Sequence, residues 1–140
     1  MTLYLDSSVL VAALVEDEPS HEKCLQLLRK KDLATWTHAL AEVFATLTGG
    51  RLGLRVAPAV AAELMDVSLA PRLRLIELTA ADLTGAIRKS ESVGVRGGAI
   101  FDFLHLTAAC RSSATALYTL NARHFVPLVR KGDPKIERPD

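Results

Sequence analysis

The sequence predicts an α/β fold in which helices cover both faces of a mainly parallel central sheet. Short apolar segments typical of buried strands alternate along the chain with longer segments in which apolar residues recur at helical spacing. Successive strands are therefore separated by whole helices, and such crossover connections are the ones that parallel strands need. Polar residues directly follow the first strand and a late strand, at the edge where open parallel sheets bind ligands.

The first half of the chain contains the signals for two strands and four helices. Asp6, Ser7 and Ser8 offer N-cap chemistry after the opening strand, and Ser20 does so before the second helix. Pro58 is suited to the start of a helix. We predict, in order, a strand at 2–5, helices at 9–15 and 21–31, a strand at 33–37, and helices at 38–48 and 58–69.

The second half continues the alternation. Thr79 is placed to cap a helix with Asp82 in its first turn, and three glycines between positions 94 and 98 form a junction. Asp102 precedes or begins the next helix. We predict a strand at 72–78, helices at 80–93 and 103–111, a strand at 115–120, and a short edge strand around 135–137.

Composition is that of one globular domain spanning residues 1–140. The chain has 140 residues, of which 49% are hydrophobic and 24% are charged, enough to bury a core of its own. The formal net charge of +1 excludes this chain from the class of proteins that hold nucleic acid mainly through a strongly basic surface. Any contact with nucleic acid is therefore expected to be local.

The two cysteines and the apolar segments bear on the cellular compartment. Cys24 and Cys110 form no CxxC motif, and each lies in an apolar helical context in which a thiol behaves as a small buried hydrophobe. The longest apolar run, 9–15, is too short to span a bilayer and follows no basic leader. We expect a reduced, cytoplasmic protein without a membrane segment.

Four polar residues, far apart in sequence, suit a site for a hard divalent cation. Asp6 follows the first strand, Glu42 lies within an apolar helix, Asp102 opens a late helix, and Asn121 closes a late strand. Oxygen ligands of this type bind Mg²⁺, which proteins hold through one or two carboxylates together with substrate phosphate. The chemistry expected of such a site is phosphodiester cleavage.

Each of these residues also has a plain structural explanation. Asp6 and Asp102 are both placed to act as helix N-caps. Glu42 has His38 and Thr46 as its neighbours at i±4, so it lacks a helical ion pair, but the three side chains also suit a solvated stripe. Asn121 is a common turn residue.

Three further polar residues, His105, Arg96 and Arg123, are candidates near these positions. His105 follows Asp102 by one turn, but a lone helical histidine is more often packed or hydrogen-bonded than bound to metal, so we leave it out of the predicted site. Arg123 and Arg96 are candidates for contact with substrate phosphates, with solvated surface charge as the alternative. Motifs of the GxGxxG, GxxxxGK[ST], GxSxG and HExxH types are absent from the sequence.

Several segments, in their order and spacing, resemble the PIN-domain ribonucleases, and more narrowly the VapC-type toxins. They cover nearly the whole chain and are 3–8 (LYLDSS), 41–43 (AEV), 101–104 (FDFL) and 118–125 (YTLNARHF). The resemblance implies a PIN-like three-layer α/β fold and a metal-dependent endoribonuclease. It also implies a small antitoxin as partner, RNA as substrate, and a homodimer.

The resemblance also implies roles for individual residues. Asp6 and Asp102 correspond to the principal ligands of Mg²⁺ or Mn²⁺, with Glu42 holding a metal-bound water or a second ion. Ser8 and Thr119 correspond to polar supports of the site. Asn121 replaces a fourth acid that is often found in the family, so one negative charge is missing, and we expect bound RNA phosphate to supply it.

Two other functions are alternatives to a metal-dependent endoribonuclease. A PIN-like domain that binds RNA or protein without cleaving would agree with Asn121. A receiver-like signalling domain would need adjacent acids after the first strand, where the chain has Asp6 and then Ser7.

The helical stripe of Val60, Leu64 and Val67 would serve either as a partner contact or as core.

Overall fold

The computed structural model, which describes residues 1–51 and 53–140, contains the predicted alternation of strands and helices. The strands are β1 (Leu3–Leu5), β2 (Leu33–Trp36), β3 (Leu73–Ile76), β4 (Ala116–Tyr118) and β5 (Lys135–Glu137). The helices are α1 (Ser7–Leu14), α2 (His21–Leu28), α3 (Thr37–Thr48), α4 (Pro58–Ser68), α5 (Ala80–Val93), α6 (Ala99–Arg111) and α7 (Ala122–Phe125). Short 3₁₀ turns at Ala70–Arg72 and Val126–Leu128 precede β3 and β5.

The five strands form one sheet in the order β3-β2-β1-β4-β5, and every neighbouring pair is parallel. The chain moves outward from β1 through β2 to β3, and then returns to place β4 on the other side of β1. The gap between the carboxyl ends of β1 and β4 is therefore the topological switch point, where sheets of this kind bind ligands.

Two hydrophobic cores pack on opposite faces of the sheet, because side chains alternate along each strand. Leu5 and Leu33 face the core that is covered by α1 to α4. Tyr4, Ala34 and Leu117 face the core covered by α5, α6 and α7. The predicted three-layer α/β fold is confirmed.

Helix ends follow the predicted capping chemistry in two of three cases. The side chain of Thr79 accepts a hydrogen bond from the backbone of Asp82, and the Asp82 carboxylate accepts one from the backbone of Thr79, which completes a capping box. Asp6 caps α1 through its own carboxylate. Ser20 precedes α2, but its side chain makes no capping bond.

Two expectations about local structure need correction, and one open alternative is decided. The helix α6 begins at Ala99, so Asp102 lies inside its first turn and does not cap it. Cys24 is buried as expected, but Cys110 is exposed, and its thiol lies 3.4 Å from an oxygen of Asp133. The side chain of Val67 is 70% exposed, so the stripe on α4 faces outward and does not form core.

Among the described residues, no helix is both long enough and apolar enough to cross a bilayer.

Candidate active site

Asp6 lies at the switch point because it follows β1 directly. Its backbone N–H donates to the carbonyl of Tyr118 at the end of β4, which ties the two strand ends together. Its Oδ1 oxygen accepts hydrogen bonds from the backbone N–H of Val9 at 3.2 Å and from the Ser8 hydroxyl at 2.6 Å. Asp6 is only 4% exposed, and its Oδ2 oxygen accepts no hydrogen bond from the described residues. One carboxylate oxygen is thus anchored, and the second is left for a ligand.

The Ser8 hydroxyl connects Asp6 to the far side of the switch point. It donates to Asp6 and accepts a hydrogen bond from the backbone N–H of Leu120 at 3.0 Å. Thr119, which is fully buried, accepts a hydrogen bond at its Oγ1 from the backbone N–H of Asn121 at 3.0 Å. Ser8 and Thr119 therefore hold the backbone at the ends of β1 and β4. Their role as supports of a metal site stays a prediction.

Asp102 lies half-buried in the first turn of α6, and its side chain is 31% exposed. Burial raises the pKa of this carboxyl above its ordinary value, and the negative charges of Asp6 and Glu42 raise that pKa further. His124 and His105 act in the opposite direction on the same pKa. Asp102 is consequently close enough to Asp6 and Glu42 for their charges to act on it. We call these three acids the acidic pocket.

Glu42 projects from the middle of α3 and has a partner that the sequence did not reveal. Its Oε1 oxygen lies 2.7 Å from Nε2 of His105, whose side chain is 3% exposed. The other ring nitrogen of His105, Nδ1, lies 2.7 Å from the hydroxyl of Tyr4. His105 is therefore packed and hydrogen-bonded, as predicted, but its partner is an acid of the predicted site.

Sequence reasoning had no means of finding this connection. His105 and Glu42 are 63 positions apart, and Tyr4 and His105 are 101 positions apart. The sequence indicated only that Glu42 needs a partner, because Glu42 lacks a helical ion pair and a carboxylate on an apolar helix needs a compensating group.

Asn121 is exposed and precedes α7, and it lines a cleft of about 310 Å³ beside the acidic pocket. The cleft also contains Ser8 and Thr46, the latter one turn beyond Glu42 on α3. His124, on α7, has its Nδ1 nitrogen 3.8 Å from Asp102 Oδ2. The end of β4 thus contributes polar groups to the same edge of the sheet.

The two predicted phosphate-binding arginines are exposed. Arg123 lies on α7, and Arg96 lies in the loop that leads into α6. Neither guanidinium forms an ion pair with any of the described residues. Their role in holding substrate stays a prediction.

The side-chain oxygens at this edge of the sheet are of the type that a hard cation prefers, but they do not form a complete set of ligands. Carboxylate and amide oxygens are the ligands that Mg²⁺ and Mn²⁺ prefer. Within residues 1–51 and 53–140, however, no three His, Cys, Asp or Glu side chains are grouped closely enough to hold one ion together. An ion at this edge therefore needs ligands from water or substrate in addition to the protein.

Comparison with known proteins agrees with the fold. The model of the PIN domain family matches residues 3–127. The chain therefore belongs to the PIN-domain family. Its relatives within the family include a protein of the VapC type. This relative, Ribonuclease VapC27 of Mycobacterium tuberculosis, is 33% identical over 121 residues, which are 86% of this chain and 85% of the relative.

Solved structures share the fold at lower identity. VapC20 of Mycobacterium tuberculosis, described as a toxin that cleaves the sarcin-ricin loop, superposes with a TM-score of 0.72 at 18% identity, covering 95% of this chain and 100% of VapC20. A toxin-antitoxin complex from Klebsiella pneumoniae contains a chain with a TM-score of 0.66 at 15% identity, covering 100% of this chain and 98% of the other.

Proposed function

We propose that this chain is a metal-dependent endoribonuclease and the toxin of a toxin–antitoxin pair. The observation that carries the proposal is the position of Asp102, whose carboxyl group responds to the charges of Asp6 and Glu42 beside the switch point of the sheet. A carboxyl group with a perturbed pKa beside other acids is typical of active sites. Membership of the PIN-domain family and the relative named Ribonuclease VapC27 support the reaction type.

Asp6 and Asp102 would hold a Mg²⁺ or Mn²⁺ ion, directly or through water, and Glu42 would hold a metal-bound water or a second ion. The Oδ2 oxygen of Asp6 and both oxygens of Asp102 are free of hydrogen bonds from the described residues, which favours these two as ligands. A bound ion supplies an activated water and stabilises the charge that develops on the phosphate. RNA phosphate would supply the charge that Asn121 lacks.

The protein's own part is to hold the acids in position before RNA arrives. Ser8 and the backbone of Val9 fix one oxygen of Asp6, so the other is left free of hydrogen bonds from the described residues. His105 fixes one oxygen of Glu42 in the same way. We assign Arg123 and Arg96 to the phosphates on either side of the cleaved bond, because both are exposed and free of ion pairs within the described chain.

We further propose a small antitoxin and a second copy of the chain as partners. The toxin-antitoxin complex from Klebsiella pneumoniae, which shares the fold, supports the antitoxin. The stripe on α4 supports an apolar contact, since Val60 is 56% and Val67 is 70% exposed. Together with Glu63 and Leu64 they line a shallow apolar depression of about 290 Å³.

A cleavage assay tests the proposal directly. The purified chain, incubated with cellular RNA and either Mg²⁺ or Mn²⁺, should produce discrete internal cuts that EDTA abolishes. Fragments that persist in EDTA would contradict the metal dependence. RNA binding without any cleavage in either metal would favour a noncatalytic PIN-like domain instead.

A further inference from the structure

Two aromatic side chains, His38 and Phe101, stack at the surface beside the acidic pocket. Neither takes part in the hydrogen bonds of the acids described above. The ring centroids of His38 and Phe101 are 5.7 Å apart, and the two planes differ by only 11°. The other neighbour of His38 is the buried Trp36 ring, at 4.7 Å. Stacked pairs are favourable at these separations. His38 is exposed and Phe101 is 46% exposed, so the stack ends at the surface.

The position of the stack relates it to the proposed ion-binding acids. Phe101 immediately precedes Asp102 in the first turn of α6. His38 lies one turn before Glu42 in α3, on the same face of that helix. The two rings thus come from different helices, and each helix also carries one of the acids.

We propose that His38 and Phe101 form a stacking platform for a nucleobase that flanks the cleaved phosphodiester of single-stranded RNA. The inference rests on the function proposed above and adds a base-binding subsite to it. A flanking base is joined through its sugar to the phosphate, so it must lie within one nucleotide of Asp102 and Glu42. Because one side of Phe101 is against His38 and about half of the residue is exposed, a base extends the stack outward.

The platform should contribute measurably to the free energy of RNA binding. Stacking of bases on aromatic side chains tolerates any base, because every base has a π-face, and truncation of one such side chain weakens binding severalfold. A chain with a net charge of only +1 cannot rely on long-range attraction to RNA, so local stacking is a larger share of its affinity. The alternative is that the two rings only shield Trp36 from water.

Short single-stranded RNAs of mixed sequence, each with 2-aminopurine at a different position, provide the test. Binding is measured in an Asp6→Asn background so that cleavage does not interfere. In at least one of the RNAs the fluorescence should be quenched on binding, as stacking requires. Phe101→Ala should remove that quenching and weaken binding at least about fivefold. Phe101→Trp should preserve both.

Phe44→Ala is the matched control, because Phe44 is 37% exposed on α3 but lies on a different face from Glu42. It should leave quenching and affinity unchanged. If Phe101→Ala binds within twofold of the parent and keeps the quenching, or if the parent quenches none of the RNAs that it binds, the platform is overturned while the nuclease is not. If the wild-type chain neither binds nor cleaves RNA, the proposed function fails, and the platform falls with it.

Discussion

The Nε2 nitrogen of His105 lies 2.7 Å from the Oε1 oxygen of Glu42, and this contact joins an acid of the site to the buried core. One assignment of protons satisfies the whole chain of bonds. The backbone N–H of Trp36 donates to the Tyr4 oxygen, the Tyr4 hydroxyl donates to Nδ1 of His105, and Nε2–H donates to Glu42. The Glu42 carboxylate is therefore oriented by a backbone group of β2.

We expect His105→Leu to lower RNA cleavage by about 10- to 100-fold, as loss of a partner behind a metal-site ligand commonly does. His105→Gln should recover part of the activity, because its side-chain amide can still donate to Glu42. The measurements are kcat and Mn²⁺ affinity of each folded variant. If the Leu variant lost stability but kept wild-type kcat and metal affinity, His105 would have no role in orienting Glu42.

Tyr4→Phe should lower the free energy of unfolding by about 1–3 kcal/mol, since it leaves the buried N–H of Trp36 and Nδ1 of His105 without their partner. Urea denaturation provides the measurement. Tyr118→Phe is the matched control, because the Tyr118 hydroxyl is not hydrogen-bonded to the described residues, and its effect should stay within about 0.5 kcal/mol. Equal effects of the two substitutions would contradict the assigned bonds.

Asp6→Asn should abolish metal-dependent cleavage, by at least about 100-fold, because the amide removes the charge that a divalent ion needs. The fold should persist, since Asn is as good an N-cap as Asp and can keep the bond from Val9. Circular dichroism checks the fold and a labelled RNA checks the activity. Asp17→Asn, at an exposed acid outside the site, should behave as wild type. Equal cleavage by Asp6→Asn and wild type would rule out the assigned role.

Asp102→Asn should stabilise the metal-free protein at neutral pH. Because the pKa of Asp102 is raised in the folded state, folding favours its protonated form, and wild-type stability falls as the pH rises from the ordinary value of 3.8 through the raised pKa. The amide variant escapes this loss. Thermal unfolding across pH should show the advantage at pH 7 and none below 3.8. A variant that is less stable at every pH would contradict the argument.

Divalent ions should reverse the order of stability, so that wild type becomes more stable than Asp102→Asn. An ion that binds the native state and not the unfolded chain stabilises the fold, so we expect Mn²⁺ to raise the melting temperature of wild type with increasing concentration. Asp102→Asn should show a much smaller rise, because a proposed ligand is missing. Identical shifts in the two proteins would exclude Asp102 as a ligand.

Asn121→Asp should tighten Mn²⁺ binding in the absence of RNA, by roughly tenfold or about 1.4 kcal/mol. Asn121 is exposed beside Ser8 in the cleft next to the acidic pocket, so an added carboxylate would supply the missing charge. Isothermal titration gives the affinity. Unchanged affinity would refute the explanation that the site lacks a charge, and Asn121→Ser serves as an uncharged control.

Much of the fold could be predicted because its signals are local. Apolar spacing places a helix or strand within a few residues, and a cap such as Thr79 with Asp82 depends on neighbours three positions apart. The same local signals indicated that Asp6 follows a strand and that Glu42 lacks a helical ion pair. They were less precise at element ends, since α6 begins before Asp102 and not after it.

By itself, therefore, the sequence determined the alternation of strands and helices, the parallel sheet, and the acids that suit a cation. Only the tertiary structure decided that β4 pairs with β1 to create the switch point, that His105 orients Glu42, and that Phe101 stacks on His38. The physical reason is distance along the chain. Short-range periodicity specifies each element, whereas contacts between residues 63 positions apart depend on how all the elements pack.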